Sequence, residues 1–292
     1  MLFGYLSAFG SAFFESLVDV ARKRSGAEFS KWTAAWGRHA MCAPILLVVA
    51  MVIHPHTFPH SGMFWVATAG SAVINLVASV LYMEALQTAP MSLVLPLVTL
   101  SPVFLLATSP IINREFPSIL GTVGILVTTA GTYALNFDRA KQGWFEPIRL
   151  LWKEKGTRSM LIVAMLWSVS APLDKLAIRH ADPFWYSALI NIILGFMLLP
   201  FVIRAGESKK IMSARGMLLL LPLGISSALA TLTQFVAFSR IMVPYAIGIK
   251  RTSVLWGVAW GRTIFKEEKI GMRFGAALLM CLGAIFILFA GK

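Results

Sequence analysis

Residues 63–86 read MFWVATAGSAVINLVASVLYMEAL, and Gln87-Thr88-Ala89-Pro90 separates them from residues 91–111, MSLVLPLVTLSPVFLLATSPI. The first run carries one charge, Glu84, and the second carries none. Each is as long as the roughly 20 apolar residues a helix needs to cross the hydrocarbon of a bilayer. So short a link makes the two runs antiparallel neighbours. The chain therefore reads as a helical protein whose solvent is lipid.

Further runs lie on either side. Ten spans are expected near residues 2–19, 33–53, 63–86, 91–111, 118–137, 158–178, 184–203, 214–238, 244–264 and 271–290. Over all 292 residues the composition is 58% hydrophobic and 13% charged, against about 45–50% apolar and 25% charged in soluble domains. Mean hydropathy is +0.76. A soluble core cannot absorb so much apolar surface. Residues Met1–Val18 lack a basic segment before them and are followed by Arg22-Lys23-Arg24, so they read as a retained first helix and not as a cleaved signal. Cys42 and Cys281 sit alone in apolar runs and suggest neither a disulfide framework nor a metal site.

The net charge of +13 would point to nucleic acid in a soluble protein. Here the basic residues fall between the apolar runs, where they orient helices and meet lipid headgroups, so no nucleic-acid partner is expected. Links 1–2, 5–6, 7–8 and 9–10 hold seventeen Lys and Arg, against five on the opposite side. Counted literally, both termini face away from the cytoplasm. The longest link, residues 138–157, mixes Trp144, Phe145 and Trp152 with Lys141, Arg149 and Lys153, either as a segment lying on the membrane surface or as a solvated linker. It divides the chain into 1–137 and 158–292. Trp32, Trp36, Trp65 and Trp185 lie near span ends, as interfacial anchors do.

The two halves can be laid over each other. Tyr82-Met83-Glu84-Ala85-Leu86 leads through Ala89-Pro90 to a Pro-containing span, then to Glu115, Gly121 and Gly131. Phe235-Val236-Ala237-Phe238 leads through Val243-Pro244 to a span, then to Glu267-Glu268, Gly275 and Gly283. Five spans per half is an odd number, so the second half enters the membrane upside down, as in transporters with a site at the repeat interface.

This order of motifs resembles the drug/metabolite transporter superfamily, and specifically its EamA-type members, over essentially the whole chain. Tyr82, Ala85, Leu86, Pro96, Pro102, Glu115, Gly121, Gly124 and Gly131 match the usual half-repeat, and Trp167 and Lys175 open the second half as such halves often do. The resemblance implies two inverted five-helix repeats, a ten-helix bundle with a central cavity, alternating access, and residence in a bacterial inner membrane. Phe9 and Leu17 depart from the Trp167 and Lys175 pattern. Lys250-Arg251 interrupts a span that is usually apolar, and members are often assigned cytoplasmic termini.

Charges at membrane depth are costly and so are functional candidates. Lys250 and Arg251 read either as binders of a carboxylate or phosphate or as members of an internal ion pair. Glu15 and Glu84 are their candidate partners, and both are also candidates to carry a coupling proton. Asp174 and Lys175 either satisfy each other or present Lys175 to a cavity. Asp19 reads as a cap or anchor and Arg38 as an interfacial anchor. Asn75, Gln87, Asn191 and Gln234 contact substrate or join helices. Tyr82, Trp167, Trp256 and Trp260 line a cavity or pack helices. His54, His56 and His60 read as a loop and not a metal site.

The substrate-binding set is accordingly Lys250, Arg251, Glu84, Tyr82, Trp167, Lys175, Gln234 and Trp256. No catalytic set, cofactor or nucleotide-binding motif is expected. The expected activity is secondary transport of a small polar or amphipathic metabolite, anionic or zwitterionic and amino-acid-like, in the direction of export, by proton coupling or exchange. The alternative is a flippase or accessory subunit for a phosphate-bearing lipid-linked headgroup. Lipid is the surrounding partner, with the chain a monomer or homodimer.

Overall fold

The computed structural model describes residues 1–89, 94, 97–136, 154–256, 260 and 271–291. Among these residues the chain is helical and contains no strand. Eleven helices follow in order: α1 Leu2–Gly26, α2 Lys31–Ile53, α3 Gly62–Thr88, α4 Ser101–Asn113, α5 Ile119–Asn136, α6 Lys155–Arg179, α7 Pro183–Ala205, α8 Ser208–Ile211, α9 Ala214–Arg240, α10 Val243–Lys250 and α11 Gly271–Ala290. By length and composition, α2, α3, α6, α7 and α9 can each cross a bilayer, and Ser101–Asn113, Ile119–Ala134 and Gly275–Ala290 are shorter apolar helices. The four-residue α8 had no signal in the apolar pattern. Most of the surface segment expected at 138–157 lies outside the described residues.

Local chemistry sets the helix ends. Ser30 caps α2 by accepting from the Thr33 N–H, and Asp182 caps α7 by accepting from the Phe184 and Trp185 N–H groups ahead of Pro183. Gly206 ends α7 at φ +69°, a left-handed conformation that a side chain would strain. The Glu207 carboxylate accepts from the Ser30 N–H at 3.1 Å and from its hydroxyl at 2.8 Å, tying the α7–α9 connection to the start of α2. Burial alone would push the Glu207 carboxyl up, but hydrogen bonds from Thr33 and Ser30 hold it below the usual carboxylate range.

The helices turn apolar stripes outward. On α9, Leu218, Leu221, Ile225 and Leu229 recur at helical spacing and are all exposed, as are Val66, Val73 and Val77 on α3. Meanwhile Ser71, Ser168, Ser170, Asp174, Lys175, Ser187, Asn191 and Ser227 are buried. In water this distribution would be costly; in lipid it is the stable one. The main packing pairs are α5 with α11, α3 with α6, α1 with α9, and α2 with α7, joined by α4 with α6, α1 with α10 and α4 with α10. Each half thus packs mainly against the other half.

Two expected spans are not continuous helices. Residues 244–264 were read as one span, but α10 ends at Lys250, Arg251 and Thr252 form a turn, and the helix resumes at 253–256. The Thr252 hydroxyl donates to the Ile249 carbonyl at 2.7 Å, the local bond by which a hydroxyl competes with the helix ladder. Within 91–111, Thr99 and Leu100 form a turn before α4, where Pro102 supplies no N–H to continue the ladder from its N-terminal side. Trp185 is not an interfacial anchor. It is buried, and its Nε1–H donates to the His54 carbonyl at 2.9 Å.

The α5–α11 seam is packed backbone to backbone. A Cβ on Gly124 would fall 2.8 Å from the Gly283 carbonyl oxygen and 2.9 Å from the Ile287 nitrogen, whereas one on Gly275 would meet nothing. Gly124→Ala should therefore destabilise the protein by about 1–3 kcal/mol through overpacking. Gly275→Ala, with open space and better helix propensity, should be neutral or gain up to about 1 kcal/mol. Thermal unfolding in detergent compares them, and equal midpoints would contradict the close seam.

Candidate functional site

Glu15 lies near the middle of α1, and three cations meet its carboxylate. Lys250 Nζ at the end of α10 is 3.1 Å from Oε2. Arg38 Nη2 on α2 is 3.5 Å from Oε2, and Arg22 Nη1, two turns along α1, is 3.5 Å from Oε1. The Glu15 side chain is only 12% exposed, so these are desolvated interactions that water does not screen. Lys250 also donates to Gln234 Oε1 of α9 at 2.5 Å. Arg22 reaches Asp19 Oδ1 at 3.3 Å and lies over the Tyr82 ring at 5.1 Å. Tyr82 in turn stands against Trp167, with ring centroids 5.4 Å apart.

Arg251 differs from its neighbours. Its Nη2 donates to the Ser101 hydroxyl at 2.5 Å. Its Nε–H is buried and has no hydrogen-bond partner among the described residues. No carboxylate of the described residues lies within salt-bridge distance of it. Arg251 belongs to the turn that interrupts the second-half span, and Ser101 follows the turn that interrupts the first-half span. The two helix breaks therefore meet across this bond. Broken helices facing one another leave polar backbone at membrane depth, which is tolerated only against protein or a polar cavity. Trp260 Nε1–H donates to Ser16 Oγ at 3.0 Å, and Phe13 packs edge-on to Trp256 at 5.2 Å, adding an aromatic wall.

The described members of this cluster are Arg22, Arg38, Lys250 and Arg251 against Glu15 and Asp19. The excess is two positive charges, in a setting where an unmatched charge is expensive.

A second polar cluster closes the opposite end. Glu115, in the α4–α5 connection, is 2.5 Å from Lys175 Nζ and 3.9 Å from Arg179 Nη2. It also accepts from the Ser109 hydroxyl at 2.6 Å and the Val243 N–H at 3.0 Å. Lys175 Nζ donates as well to the Ile241 carbonyl at 2.6 Å. This one carboxylate joins α4, α6 and the start of α10. Glu84 belongs to a third group, near the ends of α2, α3 and α6, with Lys31 Nζ at 2.7 Å and Lys155 Nζ at 2.5 Å.

The structure thus brings Lys250, Gln234 and Glu15 together, places Arg251 at the helix breaks, and puts Tyr82 beside Arg22 with Trp167 packed on Tyr82. Trp256 joins through Phe13. Glu84 and Lys175 have other partners. Asp174 and Lys175 do not satisfy each other: Lys175 turns to Glu115, and Asp174 accepts from Ser71 and Tyr186. Arg38 is no interfacial anchor but a partner of Glu15. Asn191 does join helices, with its Oδ1 2.8 Å from His39 Nδ1. Sequence reading missed Arg22, because the first span was ended near residue 19. The spacing of Glu15, Asp19 and Arg22 along one helical face was the available signal.

Removing the hub charge should be costly. Glu15→Gln leaves Arg22, Arg38 and Lys250 facing one another and should lower stability by about 3–5 kcal/mol. Glu15→Gln with Lys250→Met should recover part of that loss. Thermal unfolding of the single and double variants checks this, and additive losses would contradict the pairing.

A family model described as the EamA-like transporter family matches residues 2–137 and again 155–289. No curated protein matches. A solved structure described as "Crystal structure of protein" superposes with a TM-score of 0.78 at 15% identity, over 99% of either chain, a likeness that bears on the fold alone.

Proposed function

The chain belongs to the EamA-like transporter family, and from that premise we propose that it carries small anions or zwitterions across the membrane by alternating access. Membership makes it a multi-pass membrane transporter of the drug/metabolite superfamily. Everything finer in this reading rests on the cluster around Glu15. The observation that carries it is Arg251: a part-buried guanidinium with a hydroxyl partner and a buried Nε–H that has no partner among the described residues, in a cluster whose described members carry two excess positive charges. A guanidinium presents paired donors that match a carboxylate or phosphate. Asp19 is held by Arg22 and its side chain is 49% exposed, so it offers an acceptor for the ammonium end of an amino-acid-like substrate.

Ten spans arranged as two inverted repeats account for the packing. Exchanging α1, α2, α3, α4 and α5 with α6, α7, α9, α10 and α11 leaves the α2–α7, α4–α10 and α5–α11 pairs in place. The same exchange turns α1–α9 into α6–α3. The Glu115 cluster ties the halves together on the side of the termini. The half-exposed Asp19 marks the approach from the other side, where the basic links lie. With those links cytoplasmic, the arrangement is one loaded from the cytoplasm, in keeping with export from a bacterial inner membrane.

Thermal unfolding of purified protein with L-glutamate, inorganic phosphate or choline tests the charge preference. The anions should raise the midpoint and choline should not. Arg251→Gln should abolish the shift while eluting as a folded species, and Lys250→Ala should weaken it. A shift retained in Arg251→Gln, or one given equally by choline, would overturn the reading.

A further inference from the structure

Five of the described carboxylates, Glu15, Asp19, Glu84, Glu115 and Asp174, belong to the polar groups described above, and their partners divide them. Glu15 faces Arg22, Arg38 and Lys250; Asp19 faces Arg22; Glu84 faces Lys31 and Lys155; Glu115 faces Lys175 and Arg179. An ammonium or guanidinium donates and never accepts, so those surroundings fit a carboxylate in its ionised form. Asp174 on α6 is different. It is buried and accepts from the Ser71 hydroxyl of α3 and, at 2.5 Å, from the Tyr186 hydroxyl of α7. Hydroxyls both donate and accept, so this pair can serve the carboxylate and, by rotating, the carboxylic acid. Both bonds fall on Oδ1, which leaves Oδ2 as the atom to take a proton.

The groups facing Asp174 from the elements around it add no committed cation. On its own helix, Lys175 and Arg179 turn to Glu115. From α3 come Ser71 and Asn75, whose Nδ2–H donates to Ser71 Oγ at 3.0 Å; Glu84 lies about 20 Å further along that helix. From α7 comes Tyr186, with Asp182 engaged at the helix start. Helix α4 has no charged residue, α9 offers Gln234, with Arg215 and Arg240 at its ends, and α10 brings Tyr245 and Lys250. Toward the substrate cluster, the Tyr186 ring packs edge-on to Phe235 of α9 with centroids 4.9 Å apart, and Phe235 adjoins Gln234, to which the Lys250 ammonium is bonded together with Glu15.

We propose that Asp174, with Ser71 and Tyr186, is the proton-carrying site of this transporter, separate from the substrate cluster and linked to it through Lys250. This rests on the anion-transport reading above. A proton from water on one side binds Oδ2 and leaves to water on the other side, with no other bond made or broken. The neutral acid removes a negative charge from the field at Lys250, so the anion is held more strongly. By reciprocity the bound anion favours the protonated site. Proton and anion then travel together, and the pair moves outward, as the export reading requires, where the outward substrate gradient exceeds the inward proton gradient. The assignment moves the coupling role away from Glu15 and Glu84, whose shells of cations hold them ionised.

Infrared difference spectra of the purified protein between alkaline and acid buffer, in H2O and D2O, read the C=O band of a protonated buried carboxyl without any ligand. The wild type should show such a band, Asp174→Asn should lose it, and Glu15→Gln should keep it. Tyr186→Phe retains the carboxyl but removes a donor, and should move the band. A band that survives Asp174→Asn, or one unmoved in Tyr186→Phe, overturns the proposal; the second variant decides should the first fail to fold. The link to the anion is read separately with methanesulfonate, whose charge is constant across the range. Its stabilising shift should be larger in acid than in alkaline buffer for the wild type and independent of pH for Asp174→Asn. A wild-type shift that does not change with pH overturns the link. No shift at either pH defeats the anion reading and leaves the infrared result to judge the proton site.

Discussion

The polar interior depends on one meeting of charges, the convergence of Arg22, Arg38 and Lys250 on the Glu15 carboxylate. In a bilayer no water stands by to solvate a charge left alone, so a cation inside the bundle is stabilised by an anion or a polar partner within it. Glu15 sits on α1, Arg38 on α2 and Lys250 on α10, and only a packed bundle brings the three helices within reach of one carboxylate. The hub therefore both follows from the fold and enforces it. Because it has one carboxylate for three cations, it leaves positive charge over. On the proposed reading, that surplus is what an anionic substrate would meet.

The fold was legible in the sequence because lipid imposes a coarse rule. A run such as 63–86 cannot be buried in a soluble core and cannot remain in water, so its length and composition fix its place. Periodicity did the rest for α9, whose Leu218, Leu221, Ile225 and Leu229 stripe faces outward. What the rule cannot register is a break inside an apolar run. The turns at Thr99-Leu100 and Arg251-Thr252 keep apolar neighbours on both sides, and composition averaged over 20 residues passes straight across them. Short polar helices such as α8 escape for the opposite reason, having no apolar signature at all.

The candidate site was legible in kind and not in partnership. A charge in an apolar run announces itself, and Lys250, Arg251, Glu15, Glu84 and Lys175 were all identified that way. Which charge meets which depends on helix rotation and depth, and neither is written in one helix alone. Glu84 lies two residues after Tyr82, yet Tyr82 faces Arg22 while Glu84 faces Lys31 and Lys155. Adjacent Asp174 and Lys175 point about 100° apart on their helix and so acquire unrelated partners, Tyr186 for one and Glu115 for the other.

The distribution of rigid and polar contacts also bears on how a rocking motion could run. Helices α5 and α11 meet through glycines with backbone against backbone, a contact that admits no sliding without loss of packing. The Glu115 cluster is of the opposite type. Its bonds join separate elements through side-chain ends, and it grips the Val243 N–H at the start of α10, the helix that carries Lys250 and leads into the Arg251 turn. A rotation about the glycine seam would leave that seam intact and would have to part Lys175 from Glu115, shifting α10 at its base. Lys250 and Arg251 at the far end of α10 would then move with it. A short helix ending in a turn transmits such a displacement as a rigid lever, whereas an unbroken span of twice its length would have to drag its other half through the opposite side of the bundle. On the proposed reading, the interruption at Arg251-Thr252 would do two things at once: present a guanidinium to substrate and free the part of the helix that has to move.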